Sequence, residues 1–422
     1  MPMRWSRRHI IQTLPLFWLG ACASSQTSQV SSDKTKIVFW TMQLKPTFND
    51  YMTALIAKFT EINPQAIVEW VDIPWADMEQ KILSAIASGT APDVANLNPQ
   101  FATKLAEKNA LVDMQTAISS EEQALYFPNI WKANQLGTTT FGLPWYVSTD
   151  VTIYNRNLFA KAGLKEPPQT YAQLAIAAEQ IKAKTGKYAF MLTMDGTQVL
   201  ESMVQMGMEL LTPDGKAAFN TDAGKNAFNY WVNLFNQQLI PREILTEGHR
   251  KAIELYQAGE LAVLITGPQF LKIVAQNAPD IANVSDVSVQ ISGDTGKKSA
   301  AVMNVVVPKS SPSPDLALKF ATFLTNDANQ LSFSKVENSL PSTIKAAADP
   351  FFTELPKDAP TYTKARIVSA SQLKQSEVLI PPVKNLENLR KIIYEELQVS
   401  MLKQKNTNEA IATAAERWNN LA

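Results

Sequence analysis

Cysteine is nearly absent from this chain: there is one in 422 residues, Cys22. A single thiol cannot build a disulfide framework, so stability must come from buried apolar surface, and thiolate chemistry is closed as well. Histidine is almost as scarce, with His9 and His249 alone, which excludes a multi-histidine zinc site. His249 falls in a helical stretch with no Gly-x-Ser-x-Gly elbow nearby, so a serine-hydrolase triad has nothing to stand on, and we place the imidazole at the surface. An excess of positive charge is missing too. Lys plus Arg and Asp plus Glu number 39 each, and Arg4, Arg7 and Arg8 precede the first acid, Asp33, so the remainder carries −3. Nucleic acid would call for a concentrated basic surface. Internal repeats are absent. The apolar run Ile10 to Ala21 has 12 residues, where a bilayer span needs about 20.

Apolar content of 45% and charged content of 18% describe an ordinary globular chain, long enough for two to three domains. The first 21 residues read as an export signal, with basic MPMRWSRR ahead of the apolar run. Leu19-Gly20-Ala21-Cys22 resembles a bacterial lipobox, which implies cleavage before Cys22 and acylation of its sulfur and freed amine; two or three acyl chains anchor stably where one does not. Ser6-Arg7-Arg8 also resembles a twin-arginine address, so either export route stays open. Residues 22–35, rich in Ser, Thr and Gln, form a tether of roughly 20 Å as a flexible coil.

Order begins at Lys36. The segment IVFW reads as a strand. Tyr51, Met52, Leu55, Ile56, Phe59 and Ile62 recur at helical spacing up to Pro64. A second strand spans Ala66 to Val71, a helix carries Met78, Ile82 and Ala85, and a third strand follows Pro92. Alternating strands and helices at this spacing imply parallel pairing. Phe141 to Phe159 (FGLPWYVSTDVTIYNRNLF) reads as the first crossover between two lobes, with Asn157 capping a helix that ends near Gly163. A second βα set follows. Thr170 caps a helix stopping at Gly186, Tyr188 to Thr193 is a strand, and Thr221 caps a helix whose Trp231 faces the core. Leu261 to Ile265 is another strand. Strands at Val287 to Ile291 and Ala301 to Val307, a further crossover at Leu340-Pro341-Ser342, and a helical C-terminus from Asn385 complete the chain.

Ligands of open α/β sheets sit beyond the carboxyl ends of the strands. That rule selects Trp40 to Lys45, Trp75, Asn98 to Gln100, Met194 to Gln198, and Gly267 to Gln269. Pyranose rings offer an apolar face to aromatic rings and a rim of hydroxyls to amides and carboxylates. Trp40, Trp75, Trp145 and Tyr146 are the candidate platforms. Gln43, Asn98, Gln100, Ser148, Asp195, Gln198, Gln269 and Asn304 are the candidate hydroxyl partners, with Gly267 beside them. A glycosidase needs two carboxyl groups roughly 5 to 10 Å apart across one bond, and the strand ends offer only Asp195, with Asp150 near the crossover.

In order along the chain, Ala87-Ser88-Gly89-Thr90-Ala91-Pro92-Asp93-Val94, Tyr154-Asn155-Arg156-Asn157-Leu158-Phe159 and Pro168-Gln169-Thr170-Tyr171 resemble the solute-binding proteins of carbohydrate ABC importers, the maltose- and glycerol-phosphate-binding type. Gly259-Glu260-Leu261 leading to Gly267-Pro268, and Ala317 to Leu324, continue the resemblance over nearly the whole chain after the tether. It implies an α/β, two-lobed periplasmic-binding-protein fold (type II), each lobe a mostly parallel sheet flanked by helices and joined by hinge crossovers. Carried onto this chain, lobe one is 36–146 plus 292–336 and lobe two is 147–291 plus 337–422. The implied role is a non-enzymatic, monomeric component that captures a neutral disaccharide or sugar–polyol by hinge closure. It delivers that sugar to permease subunits with a cytoplasmic ATPase, from the periplasm or the outer face of the membrane, with a lipid anchor and no cofactor. The alternatives are a glycerol-phosphate or phosphodiester ligand, and a secreted glycoside hydrolase. Many members of that family carry a tryptophan after the second-lobe Gly-Pro, where this chain has Gln269, which suits a smaller or more polar ligand than a long oligosaccharide. Of the selected positions only Lys45 could read a phosphate.

Overall fold

A computed structural model of the chain describes residues 34–194, 196–380 and 382–421. The leader, Cys22 and the tether up to residue 33 lie outside them, as does Asp195. Ten of the strands, numbered here in chain order, make the two larger sheets: β1 Thr35–Met42, β2 Ala66–Ile73, β3 Val94–Leu97, β4 Leu143–Thr149, β5 Val151–Asn155, β6 Val263–Thr266, β7 Ser285–Ser288, β8 Lys298–Val306, β9 Leu340–Pro341 and β10 Ser376–Glu377.

The large sheet runs β9–β4–β8–β3–β1–β2, with β10 beside the start of β8. In β1 the period-two alternation sends Ile37 and Phe39 to one core cluster and Met42 to the other. The helix Asn49–Ile62 buries Met52, Leu55 and Phe59 against the first of these. The helix Trp75–Ala87 buries Met78, Ile82 and Ala85 on the side of the second. These helical crossovers make β2, β1 and β3 parallel. The next pairings are antiparallel, β8 against β3 and β4, and β9 against β4, whereas the short β10 lies parallel to the start of β8. The expectation of a mostly parallel sheet therefore holds for β1, β2 and β3 and for the short pairing of β8 with β10; the sheet as a whole is mixed. β8 and β9 enter after excursions through the other half of the chain, so no helical crossover forces their direction.

The second sheet has β5 at its centre, with β6 and β7 both antiparallel to it. The stretch expected as a strand at 188–193 runs extended beside it. Tyr188 N–H donates to the Glu260 carbonyl and Val263 N–H to that of Ala189, but only an isolated parallel bridge, Tyr188 to Leu261, forms. One core cluster covers each face of this sheet, around Phe228 and Trp231 on one side and Val151, Ile153 and Leu264 on the other.

Only Asp150 separates β4 from β5, so one extended segment leaves the large sheet and becomes the centre of the small one. Beyond β5, Asn155 rather than Asn157 caps the helix Arg156–Ala162, accepting from the N–H groups of Asn157 and Leu158. Gly163, at φ 78°, ends it in the left-handed conformation open to glycine. A fifth cluster (Phe127, Val147, Val302, Leu340, Phe352, Leu373) gathers where the chain returns to the large sheet. No helix among the described residues is long and apolar enough to cross a membrane.

Candidate functional site

Along β4 the burial alternates: Trp145, Val147 and Thr149 are buried, whereas Tyr146, Ser148 and Asp150 are half-buried. Parity decides which side chains are available. Ser148 Oγ lies 3.4 Å from Gln269 Oε1, a hydroxyl of the large sheet against an amide that opens the helix Gln269–Asn277. Between them runs the backbone of Gly267. A Cβ there would stand 2.4 Å from Gln269 Oε1 and 2.5 Å from Ser148 Oγ, so the missing side chain is what lets the two polar groups close over the chain. Just upstream, His249 Nε2 is 3.0 Å from Thr266 Oγ1 and its ring meets Phe270 edge-on at 5.1 Å. The surface position expected for His249 is thus corrected: it is half-buried and braces the end of β6. The signal available in sequence was its place on the first turn of a helix whose other face is apolar.

Gln198, first residue of the helix Gln198–Gln205, donates from Nε2 to the Ile265 carbonyl at 3.3 Å, on the strand that leads to Gly267. Asp150 is nearby. Burial pushes its carboxyl up to about 7, the charge of Glu201 adds to that, and the amides of Gln198 and Gln290 pull the other way. Tyr146 packs against Phe333 and Trp145, with both ring-centre separations at 5.2 Å. Next to it Glu337 is also pushed up to about 7, by burial, against the opposing pulls of Ser339 and of the Lys272 charge on the helix after Gly267. Glu201, Glu337 and Lys272 carried no local pattern that would have selected them.

On the rim of the large sheet, the loop after β1 is pinned by Asp72, which sequence reasoning also missed. Its carboxylate accepts from Thr41 Oγ1 at 2.6 Å and from the N–H groups of Leu44 and Lys45 at 2.8 and 3.0 Å. Gln43 is exposed, with its Oε1 3.4 Å from the Trp75 N–H, and Trp75 itself is 43% exposed. Trp40 is half-buried against the apolar face under the helix Trp75–Ala87. Lys45 Nζ sits 4.4 Å above the Trp70 ring and reaches the Trp70 carbonyl at 3.5 Å. Gln100 lines a crevice of about 230 Å³ in which Thr103 and Glu107 face Asn385 and Leu386, and the Asn385 N–H donates to Glu107 Oε1 at 3.0 Å.

Three of the expected contacts are corrected. Trp145 is 0% exposed, stacked on Phe333 at 4.7 Å inside the large-sheet core, and cannot serve as a platform. Asn304 is fully buried within β8, its Nδ2 donating to the Val302 carbonyl. Asn98 spends its Oδ1 on the Phe101 N–H, capping the helix Pro99–Glu107. Of the others, Ser148, Gln198, Gly267 and Gln269 come together near the crossover, Gln43, Trp75 and Gln100 stand at the large-sheet strand ends, and Trp40 and Tyr146 are half-buried against core clusters. Asp195 lies outside the described residues. A cavity of about 830 Å³ opens elsewhere, lined by Leu136, Met208, Leu211, Val383 and Trp418, and none of the expected residues borders it. Among the described residues no three His, Cys, Asp or Glu side chains converge as a metal site would require. The crossover group offers hydroxyls and amides, which suit the exchange of hydrogen bonds with a polyhydroxyl compound.

Comparison with known proteins adds the following. A family model described as bacterial extracellular solute-binding protein matches residues 45–331. The galactooligosaccharide-binding protein of Bacillus subtilis is 24% identical over 344 residues, covering 79% of each chain. A protein of Synechococcus sp. MITs9220, provisionally described as an oligosaccharide periplasmic-binding protein and solved in complex with zinc, is 36% identical, with a TM-score of 0.86 over 91% of this chain and 98% of that one. The cyclic alpha-maltosyl-1,6-maltose binding protein of Arthrobacter globiformis, 19% identical, shares the fold at a TM-score of 0.78, over 92% of this chain and 98% of its own.

Proposed function

The chain belongs to the bacterial extracellular solute-binding protein family, and from that premise we propose that it captures a neutral sugar, a disaccharide or sugar–polyol, for an ABC importer. The observation that carries this reading is the meeting of Ser148 and Gln269 over Gly267: an uncharged hydroxyl and an uncharged amide, brought from two different sheets to one point. Gln198 joins them through the same strand end. Uncharged partners of this kind exchange hydrogen bonds with sugar hydroxyls and do little for a phosphate. Lys45, the cation among the selected positions that could read a phosphoester, is engaged over Trp70. The galactooligosaccharide-binding relative, and a mannitol-binding protein of Pseudomonas aeruginosa 22% identical over 289 residues, support a polyhydroxyl ligand.

In this reading the lobes are 36–146 plus 292–336 and 147–291 plus 337–422, with β9 and β10 reaching back onto the large sheet. Closure about the crossover at Asp150 brings Gln43, Trp75 and Gln100 toward Gln198 and Gln269. The lipid anchor at Cys22 keeps the monomer at the membrane face, where permease subunits collect the ligand unaltered. A panel of mono- and disaccharides, glucosylglycerol-like polyols and glycerol phosphodiesters, followed by thermal shift and tryptophan fluorescence, tests the ligand class. A true ligand at a hundredfold excess over its Kd adds about 2.7 kcal/mol of apparent stability. A response to phosphodiesters alone, or chromatographic detection of a cleaved sugar, would overturn the proposal.

A further inference from the structure

The cavity of about 830 Å³ that none of the expected residues borders is framed by both halves of the molecule. Leu136, from the two-residue strand Gln135–Leu136, packs against a core cluster of the large sheet. Met208, Leu211 and Trp418 belong to, or pack against, the small-sheet cluster around Phe228 and Trp231. Leu379 and Val383, just after β10, line it as well. One helix fixes its place relative to the sugar group. Gln198, at the start of the helix Gln198–Gln205, donates to the strand that leads to Gly267. Gln205, at its end, donates from Nε2 to the Lys297 carbonyl at 2.9 Å, on a passage of chain between the halves. Val204, about 9 Å along the axis from Gln198, and Met208 beyond it border the cavity. The cavity is thus a place apart from Ser148, Gln198 and Gln269.

The chemistry of the walls selects the occupant. Trp418 spends its indole N–H on the Gly215 carbonyl at 2.9 Å, so it offers only ring surface. The Thr212 hydroxyl donates to Asp214 at 2.6 Å, and Lys297 is turned to Glu377 at 3.4 Å. Two acids, Glu209 and Asp214, and two lysines, Lys297 and Lys384, stand around the cavity, so their formal charges cancel. What remains for a ligand is apolar and aromatic surface without net charge. The volume falls within the range of about 300–1,000 Å³ usual for small-molecule sites. We propose that this cavity is a second ligand site, for a neutral apolar molecule with a ring or alkyl skeleton, and that its occupant promotes sugar capture.

The sign of the coupling comes from the present arrangement, in which the cavity is open while Ser148 Oγ and Gln269 Oε1 stand 3.4 Å apart. A molecule that fills the cavity stabilises this arrangement over any that collapses it. It thereby favours the approach of the groups that meet the sugar. The coupling rests on the sugar-binding reading above; the site itself does not.

The probe is N-phenyl-1-naphthylamine, a neutral aromatic compound that fluoresces in apolar surroundings, titrated into the full chain without sugar. Saturable binding is expected at a Kd of about 10–200 µM, ordinary for a ligand of about 17 non-hydrogen atoms. Its anionic counterpart, 8-anilinonaphthalene-1-sulfonate, should bind at least about tenfold more weakly, because its charge finds no partner there. Leu211→Trp and Leu136→Trp, at half-buried positions on opposite walls, fill the space and should each weaken the neutral probe at least about tenfold. Binding to any other apolar region is common to all three proteins and cancels in the comparison. Urea unfolding shows whether each variant folds, and if one does not, the other decides. Neutral-probe binding that both variants leave unchanged, or sulfonate binding as tight as the neutral probe's, overturns the site. The second arm adds the sugar found by the panel. Saturating probe should lower the sugar's Kd at least about fivefold, and saturating sugar should lower the probe's Kd by the same factor, as linkage requires. Equal sugar affinity with and without bound probe refutes the coupling. A chain that binds the probe but no sugar refutes the sugar-binding reading and upholds the site.

Discussion

Consider Trp145→Ala, which separates a side chain that holds the large sheet together from one that touches ligand. The indole has no exposure and stacks on Phe333 at 4.7 Å, with Tyr146 edge-on at 5.2 Å and Phe39 at 6.4 Å. Truncating a buried aromatic to alanine costs about 3–5 kcal/mol, and the loss of two close ring partners places this site in the upper part of that range. One effect opposes it. The Nε1–H of Trp145 is buried with no hydrogen-bond partner among the described residues, and its removal returns about 1–3 kcal/mol. The net expectation is a loss of about 3 kcal/mol. Trp145→Phe keeps a ring against Phe333 and removes the orphan N–H, so it should cost less than about 1.5 kcal/mol. Urea unfolding followed by circular dichroism would show the midpoint falling at constant slope for the alanine variant. Calorimetric titration at a temperature where that variant is folded should give a ligand affinity within about twofold of the parent, since the indole is enclosed by the core. An alanine variant as stable as the parent that had lost its ligand would refute the reasoning and put the indole in the cleft.

Gly267→Ala makes the complementary prediction. The new methyl collides with Gln269 and Ser148 side-chain ends that can swing aside, so stability should change by less than about 1 kcal/mol, while affinity for the sugar found by the panel drops at least about tenfold. An unchanged affinity would remove the Ser148–Gln269 pair from the ligand site. In the C-terminal helix pair, the buried Glu396 is held by Lys405 at 2.8 Å and Arg417 at 3.0 Å. Arg417→Ala should cost about 1–2 kcal/mol in urea unfolding, a modest figure because the guanidinium is partly exposed and Lys405 remains; no loss would mean that Lys405 suffices. Stability should also depend on pH. Asp150 and Glu337 are both pushed up to about 7, chiefly by burial, from ordinary values of about 3.9 and 4.3. The folded chain then holds more protons than the unfolded one between about pH 4 and 7, so their contribution is present below that window and lost as pH rises through it. Asp286 and Asp349 are lowered, so their contribution is lost only in acid, as pH falls through their depressed values. Unfolding at pH 5 and pH 8 should therefore favour pH 5 for these two groups, with a smaller difference in Asp150→Asn and Glu337→Gln; equal differences in all three proteins would clear both carboxyls.

What could be read from the sequence was whatever local chemistry decides. Thr170 and Thr221 cap their helices through the hydroxyl, and Gly163 and Gly186 stop theirs in the left-handed region, because each of these contacts closes within three or four residues. The strand-end rule likewise picked out Gly267 and Gln269, which lie beside Ser148 of the crossover, since the position of a strand end is a property of the backbone. Trp145 was misplaced for a different reason. Trp145 and Tyr146 are adjacent on β4, and nothing local says which of the two is fully enclosed; both meet Phe333, on a helix far along the chain, but Trp145 stacks on it in the core while Tyr146 stays half-buried. The same distance hides the polar couplings. Asn385 meets Glu107 across 278 residues, and Glu201 reaches Ser299 across 98. Strand direction is non-local too: β8 returns antiparallel because it arrives from the other half. A site built where two sheets meet is therefore half legible. Its backbone positions follow from topology, but its chemistry depends on parity, and here parity hides an indole and leaves a hydroxyl and an amide as the paired groups at the junction. That substitution of polar for aromatic surface is the physical reason to expect a ligand held by its hydroxyl rim more than by its ring face.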